Sequence, residues 1–181
     1  MGEDINVYSE KLDPSTGLYV SMALVRDVKN CKVLKEKVMS GALQCSIMKP
    51  SLIVHPFQVI VAANRAAISY INGTMVTKSV YTELLFNLSI SKNISQSLIK
   101  FGIHENDEDV LIACIHKDGV SDLNEVISQV EGHVVPFSKL EGLCDSKLVV
   151  KSYKISEDEV KMTSLIDSIV SRIATSEFVS H

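Results

Sequence analysis

The sequence contains no tryptophan, and aromatic residues make up only 6% of its 181 positions. A hydrophobic core must therefore be built almost entirely from aliphatic side chains. Basic residues are not in excess either, because 18 lysines and arginines stand against 22 aspartates and glutamates, for a net charge of −4. A protein that binds nucleic acid through its overall charge is normally basic. Any nucleic-acid role here needs a local basic patch or a basic partner.

The sequence also shows no pattern typical of segments that direct a chain to a membrane or to secretion. The first residues have neither a basic n-region nor an apolar h-region, so we expect no signal peptide. Apolar runs such as residues 59–63 are far too short to span a bilayer. The four cysteines form no C-x-x-C pair, which argues against zinc-ribbon and thioredoxin-type sites. We therefore expect reduced thiols in a protein of the cytoplasm and nucleus, without membrane association.

Aliphatic residues are abundant, since Leu, Ile and Val account for 55 of the 181 residues. This supply excludes disorder over most of the length and suffices for the core of one domain. Residues 18–25 and 110–115 are almost continuously apolar, which predicts two strands buried on both faces. Residues with N-cap character precede several helical patterns: Asn30, Ser79, Asn93 and Ser156.

These elements predict an α+β fold with a small mixed or antiparallel sheet of few strands, covered by about seven to eight helices. We expect a single domain over residues 18–175, a flexible lead-in over 1–17 and a frayed tail over 176–181. Three segments have weak patterns. Residues 42–48 are typical of a short helix or turn, residues 134–143 of irregular structure, and residues 148–155 of a short helix or strand.

The helix predicted over residues 56–71 has two distinct stripes at 100° per residue. The polar stripe consists of Gln58, Arg65, Ser69 and Asn72. The opposite, apolar stripe consists of Phe57, Ile60, Ile68 and Ile71, and we expect it to face the core. Asn64 lies in the middle of that apolar side. Its amide either ties the helix to a neighbouring loop backbone or contacts a ligand directly.

Four cations are candidates for a local basic patch: Arg65, Lys78, Lys92 and Lys100. The alternative is a scattered set of solvated side chains.

The last helix is predicted to start at a capping box over residues 156–159 and to carry Met162, Leu165, Ile166, Ile169 and Ile173 on one face. Val160 and Val170 add a second apolar edge. Such a helix either packs on its own core or docks a partner.

No motif for phosphate-loop, dinucleotide or serine-hydrolase chemistry occurs in the sequence. We expect no metal and no cofactor. One catalytic alternative remains, a small α+β enzyme that uses Cys114 as nucleophile with His116 or His133 as base.

Several segments, taken in order, resemble one family. They are DVKN at 27–30, PFQ at 56–58, VAAN at 61–64, TE at 82–83, FNLS at 86–89, NIS at 93–95, KFGI at 100–103 and ISQVEGH at 127–133. Each is weakly specific alone, but their order and spacing are similar to the family of PRPK-binding proteins (TPRKB), subunits of the KEOPS or EKC complex. The resemblance runs from about residue 18 to residue 175.

The resemblance implies a non-enzymatic adaptor and regulatory subunit. In this family the subunit binds the atypical kinase PRPK, in part through its C-terminal helix, and the complex makes threonylcarbamoyl-adenosine in tRNA. The transfer chemistry belongs to a different subunit, an ASKHA-fold ligase. The candidate kinase-binding residues are therefore Val160, Met162, Leu165, Ile166, Ile169, Val170 and Ile173.

Archaeal relatives also hold the unpaired 3′ CCA end of tRNA. The resemblance makes six residues candidates for tRNA contact: Asn64, Arg65, Lys78, Asn87, Lys92 and Lys100. Basic residues of the archaeal relatives are replaced near Asn87 and Asn93 here. We therefore expect most of the tRNA affinity to come from partners in the complex.

Overall fold

A computed structural model describes residues 6–178 of the chain. Its strands are β1 (Val7–Lys11), β2 (Leu18–Arg26), β3 (Ser46–Met48), β4 (Val110–Lys117) and β5 (His133–Val135). Its α-helices are α1 (Cys31–Met39), α2 (Pro56–Asn72), α3 (Val80–Leu88), α4 (Ile94–Phe101), α5 (Leu123–Ser128), α6 (Leu140–Leu143), α7 (Ser146–Ser152), α8 (Glu157–Met162) and α9 (Leu165–Thr175). Short 3₁₀ turns span Pro50–Leu52 and Phe137–Lys139. Within this described part, no helix is both long and apolar enough to cross a bilayer.

The strands form one antiparallel sheet in the order β1-β2-β4-β3. The fifth strand, β5, pairs with residues 24–26 of β2, beyond the stretch that pairs with β1. Neighbouring antiparallel strands and helices that are segregated from them define the α+β class. The predicted α+β fold with a small antiparallel sheet is therefore confirmed.

The two central strands separate two hydrophobic cores. Alternate residues of β2 and β4 point to opposite faces of the sheet. One set, with Val20, Met22 and Leu111, enters a larger core beneath α2 and α3. The other set, with Ala23 and Ile112, enters a smaller core that α1 and α5 cover. Because each face is covered, the prediction that both strands are buried on both sides is confirmed.

Several boundaries differ from the sequence predictions. Residues 7–11, expected in a flexible lead-in, form β1 because β2 offers them an open edge. The segment 42–48 contains strand β3, the segment 134–143 contains β5 and α6, and the segment 148–155 is largely helical, in α7. In the predicted tail, Ser176 is buried. Residues 1–5 and 179–181 lie outside the described residues.

The core-facing side of α2 is not the one that the apolar spacing predicts. The buried stripe consists of small residues, Ala62, Ala63, Ala66 and Ala67, beside Val59. Small side chains allow the helix backbone to approach its neighbours closely, and α2 packs on α3 and α9.

Two of the large apolar residues that were expected in the core lie on the outward side of α2, whereas Ile60 packs against the larger core as expected. Phe57 and Ile71 are 47% and 50% exposed. Gln58, predicted on a solvated stripe, is completely buried. It is tolerated there because its amide donates to the Leu52 carbonyl at 3.0 Å and to the Tyr153 hydroxyl at 2.9 Å.

Candidate functional site

The candidate kinase-binding residues divide between the core and the surface. Thr163 and Ser164 interrupt the predicted single helix and separate α8 from α9. Ile169 and Ile173 of α9 are completely buried in the larger core. They stabilise the fold and are not available to a partner, so their assignment as contact residues is corrected. Leu165, half-buried, also packs against this core.

The remaining candidates face outward. Val160 and Met162 of α8 are 46% and 86% exposed, and none of the six α8 residues is buried. Ile166 and Val170 of α9 are half-buried, and they are four residues apart, so they share one flank of the helix. These four residues, Val160, Met162, Ile166 and Val170, are called the α8–α9 surface below.

An ion pair fixes α8 against α9. The Arg172 guanidinium donates to both carboxylate oxygens of Glu159, at 2.5 and 2.7 Å. These hydrogen bonds lower the pKa of Glu159 to about 2 and raise the pKa of Arg172. Ser156 caps α8 by accepting from the Glu159 amide, and Ser164 caps α9 by accepting from the Asp167 amide. The orientation of the α8–α9 surface is therefore defined by polar contacts.

Two of the candidate tRNA contacts are engaged within the protein. The side-chain oxygen of Asn64 accepts a hydrogen bond from the backbone N–H of Asp13 at 2.7 Å, in the loop between β1 and β2. This is the first of the two alternatives for Asn64, an amide that ties the helix to a loop. Asn87 is buried, and its amide donates to the Ala62 carbonyl at 3.4 Å. Its assignment as a tRNA contact is corrected, because it joins α3 to α2.

Arg65 and Lys92 are also engaged, at the end of α9. The Arg65 guanidinium donates to the Ile173 carbonyl, to the Ser176 hydroxyl and to the Glu177 carboxylate. The Lys92 ammonium donates to the Ser176 carbonyl. Neither cation is a freely solvated side chain in this arrangement.

Lys78 and Lys100 remain on the surface. Two further lysines lie near Lys100, and the sequence pattern does not predict this grouping. Burial lowers the pKa of Lys100, and the nearby charges of Lys151 and Lys154 lower it further. The three lysines come together because the rings of Phe101 and Tyr153 lie 6.1 Å apart and join the end of α4 to the end of α7. A contact between segments some 50 residues apart leaves no local pattern.

The cysteine-enzyme alternative loses its nucleophile. Cys114 is buried in the smaller core, and burial is the main cause that raises the pKa of its thiol. A thiol held in its neutral form is a poor nucleophile. His116 lies 2.7 Å from the Ser21 hydroxyl through Nε2 and 2.6 Å from the Lys117 carbonyl through Nδ1, so both ring nitrogens have other partners. His133 is exposed on β5 opposite Arg26.

Across residues 6–178, no group of three or more His, Cys, Asp or Glu side chains is arranged to hold an ion.

The fold and these surfaces define a class: a single-domain α+β protein whose candidate residues lie on outward helix faces and at the end of α9. The chain belongs to the family described as kinase binding protein CGI-121, whose model matches residues 25–177. The resemblance identified from the order of the sequence segments is thereby confirmed.

Named relatives match over most of their length. The chain is 35% identical to the EKC/KEOPS complex subunit TPRKB of Danio rerio over 156 residues, which cover 86% of this chain and 89% of the relative. It is 30% identical to the EKC/KEOPS complex subunit cgi121 of Aspergillus fumigatus, with 88% and 93% covered. The corresponding subunit of Schizosaccharomyces pombe is 26% identical, with 90% and 95% covered.

Proposed function

We propose that this protein is a non-catalytic adaptor subunit of an EKC/KEOPS complex and that it binds a PRPK-type atypical kinase. The observation that carries the proposal is the match of a kinase-binding family over residues 25–177, with relatives named as subunits of that complex. Through the kinase the protein connects to the ASKHA-fold ligase, which performs the transfer chemistry. Its own contribution is to bind and position the kinase.

The α8–α9 surface supports this role physically. Its exposed aliphatic side chains are flanked by polar ones, such as Asp167 and Ser171 on the outer face of α9. A protein interface typically has an apolar centre and a polar rim, and it needs no catalytic group. The helix that packs on α9, α2, carries further exposed apolar side chains, Phe57 and Ile71.

The kinase contact is tested by charging this surface without touching the core. We expect Met162→Glu and Ile166→Glu to weaken co-elution with the PRPK-type kinase on a sizing column and to raise the Kd at least about tenfold, because each buries a carboxylate at the interface. Met39→Glu is the matched control, since Met39 is 78% exposed on α1. Circular dichroism checks that all three variants are folded. Unchanged binding by both folded variants would place the kinase elsewhere.

The proposal extends to tRNA. In the complex, the protein supports threonylcarbamoyl-adenosine formation and helps to hold the tRNA 3′ CCA end. A single-stranded end needs only a few stacking, amide and basic contacts. Lys78 and Lys100 remain candidates from the sequence, and Lys151 and Lys154 are added because their charges lower the pKa of Lys100.

The tRNA contact is tested by comparing tRNA with and without its CCA end. We expect Lys100→Ala with Lys151→Ala to weaken binding of intact tRNA, by an amount that shrinks as salt is raised. Equal binding of the intact and truncated tRNA by the complex would remove the CCA contact from the proposal.

A further inference from the structure

Two cations from different elements converge at the end of α9. Nη1 of Arg65 donates to the Ile173 carbonyl at 2.6 Å and to Oγ of Ser176 at 2.5 Å, and Nη2 donates to Oε1 of Glu177 at 2.7 Å. Nζ of Lys92 donates to the carbonyl oxygen of Ser176. A guanidinium group on α2 and an ammonium group between α3 and α4 therefore meet around one residue.

The partners of these cations are all oxygen atoms: two carbonyls, one hydroxyl and one carboxylate. A guanidinium fork combined with an ammonium group is also the combination that binds phosphate oxygens. The carboxylate of Glu177 thus occupies, from within the chain, the position that an external anion would take.

The end of α9 and the residues that follow it differ in how firmly they are held. Ile173 is completely buried and Ser176 is 8% exposed. By contrast, the side chain of Glu177 is 61% exposed, and Phe178 is 83% exposed. The Arg65 side chain is only 16% exposed, so Glu177 is the solvated partner of this ion pair. When the pair separates, the Glu177 carboxylate regains its hydration, and Arg65 keeps its hydrogen bonds to Ile173 and Ser176. The Glu177 carboxylate can therefore leave Arg65 while Ile173 stays in the core.

We propose that residues 176–178, called the C-terminal cover, close an anion site formed by Arg65 and Lys92, and that a phosphate group of single-stranded RNA displaces Glu177 from it. The choice of RNA rests on the proposed function. Displacement exchanges one anion for another at the guanidinium and involves no covalent step. An anion must compete with Glu177 for Arg65, so an anion that binds weakly does not displace the C-terminal cover. A ligand that makes further contacts with the protein can displace it.

The first experiment uses inorganic pyrophosphate and the full chain, followed by ¹⁵N NMR. We expect pyrophosphate to shift the amide resonances of residues 176–178 and the Nε resonance of Arg65. We expect Glu177→Gln to bind it about twofold to fivefold more tightly, because a neutral amide competes less well for the Arg65 guanidinium than a carboxylate does. Lys92→Ala should bind it more weakly.

The matched control is Glu36→Gln, which removes the same charge from an exposed position on α1. The proposal is overturned if pyrophosphate shifts only resonances far from the cover. It is overturned equally if Glu177→Gln binds no more tightly than Glu36→Gln, because the gain would then be a net-charge effect.

A second experiment separates the cover from the proposed tRNA contact, with a labelled RNA oligonucleotide that ends in CCA. We expect tighter binding by Glu177→Gln than by the unmodified chain and by Glu36→Gln. Equal RNA binding by all three would overturn the cover and leave the tRNA contact intact. If pyrophosphate displaces the cover but no variant binds RNA, the anion site is supported and the tRNA contact fails.

Discussion

α8 and α9 follow one another along the chain, and the apolar spacing joins them into one helix with one face. The two helices differ in how much of their side-chain surface is buried. None of the α8 residues is buried, whereas α9 inserts Ile169 and Ile173 completely into the larger core. The difference begins at Ser164, which caps α9 as a new helix. Apolar spacing thus identifies residues that share a face, but only the packing around them shows whether that face is covered.

The largest effect is expected when α9 loses its apolar character. Ile169→Glu places a carboxylate in a site with no exposure to water. We expect a loss of at least about 3 kcal/mol in the free energy of unfolding, because a buried charge has no partner there. Urea denaturation followed by circular dichroism measures it. A loss below about 1 kcal/mol would show that α9 is not part of the core.

A smaller effect is expected when the contact between the two helices is removed. Arg172→Met eliminates the paired hydrogen bonds to Glu159 and leaves the aliphatic stem. We expect faster hydrogen exchange in α8, with α9 largely protected by its buried residues. Arg26→Met is the control, because the Arg26–Asp109 pair at 3.2 Å joins the end of β2 to the residue before β4 and involves neither helix. Equal acceleration in both helices would contradict the comparison.

The same contact predicts a dependence on pH. The pKa of Glu159 is lowered to about 2 by Arg172, so its stabilising contribution is complete above the ordinary glutamate pKa. That contribution is lost as the pH falls from about 4.5 towards 2. We expect the side-chain ¹³C resonance of Glu159 to titrate well below those of exposed glutamates. In Arg172→Met the titration should return to the ordinary range, and its failure to do so would assign the shift to another cause.

The smallest effect is expected on α8. Val160→Glu introduces the same carboxylate as Ile169→Glu, but at a position that is 46% exposed. We expect the free energy of unfolding to change by no more than about 0.5 kcal/mol. Urea denaturation of the two variants side by side measures the contrast. A large loss in Val160→Glu would show that α8 is packed more tightly than its exposure indicates.

The fold class and the central strands could be predicted, because a short, continuously apolar segment is typical of a strand that is buried on both faces. The strand expected at 18–25 spans 18–26, and the one expected at 110–115 spans 110–117. Caps were predicted where the signal is local: Ser79, Asn93 and Ser156 each accept a hydrogen bond from the third residue of their helix. Asn30 does not cap α1, because its amide instead bonds Gln129 and Glu131, about 100 residues away.

The candidate sites were harder to predict, for two physical reasons. The alanines of α2 are weak hydrophobic signals, although their small size lets the helix pack closely. The larger Phe57 and Ile71 dominated the pattern and proved to be half-exposed. The convergence of Arg65 and Lys92 on Ser176 spans 84 to 111 residues of sequence, beyond the reach of any periodicity.

The edge of β2 that faces away from β4 is shared by two separate pieces of chain, placed end to end. β1 pairs with residues 19–23, and β5 pairs with residues 24–26. The same edge of one strand is therefore protected by two independent pairings, one made by β1 and one made by β5. The β2 amide protons that point towards this edge should exchange with solvent in two groups, each at the rate at which its own neighbour, β1 or β5, detaches.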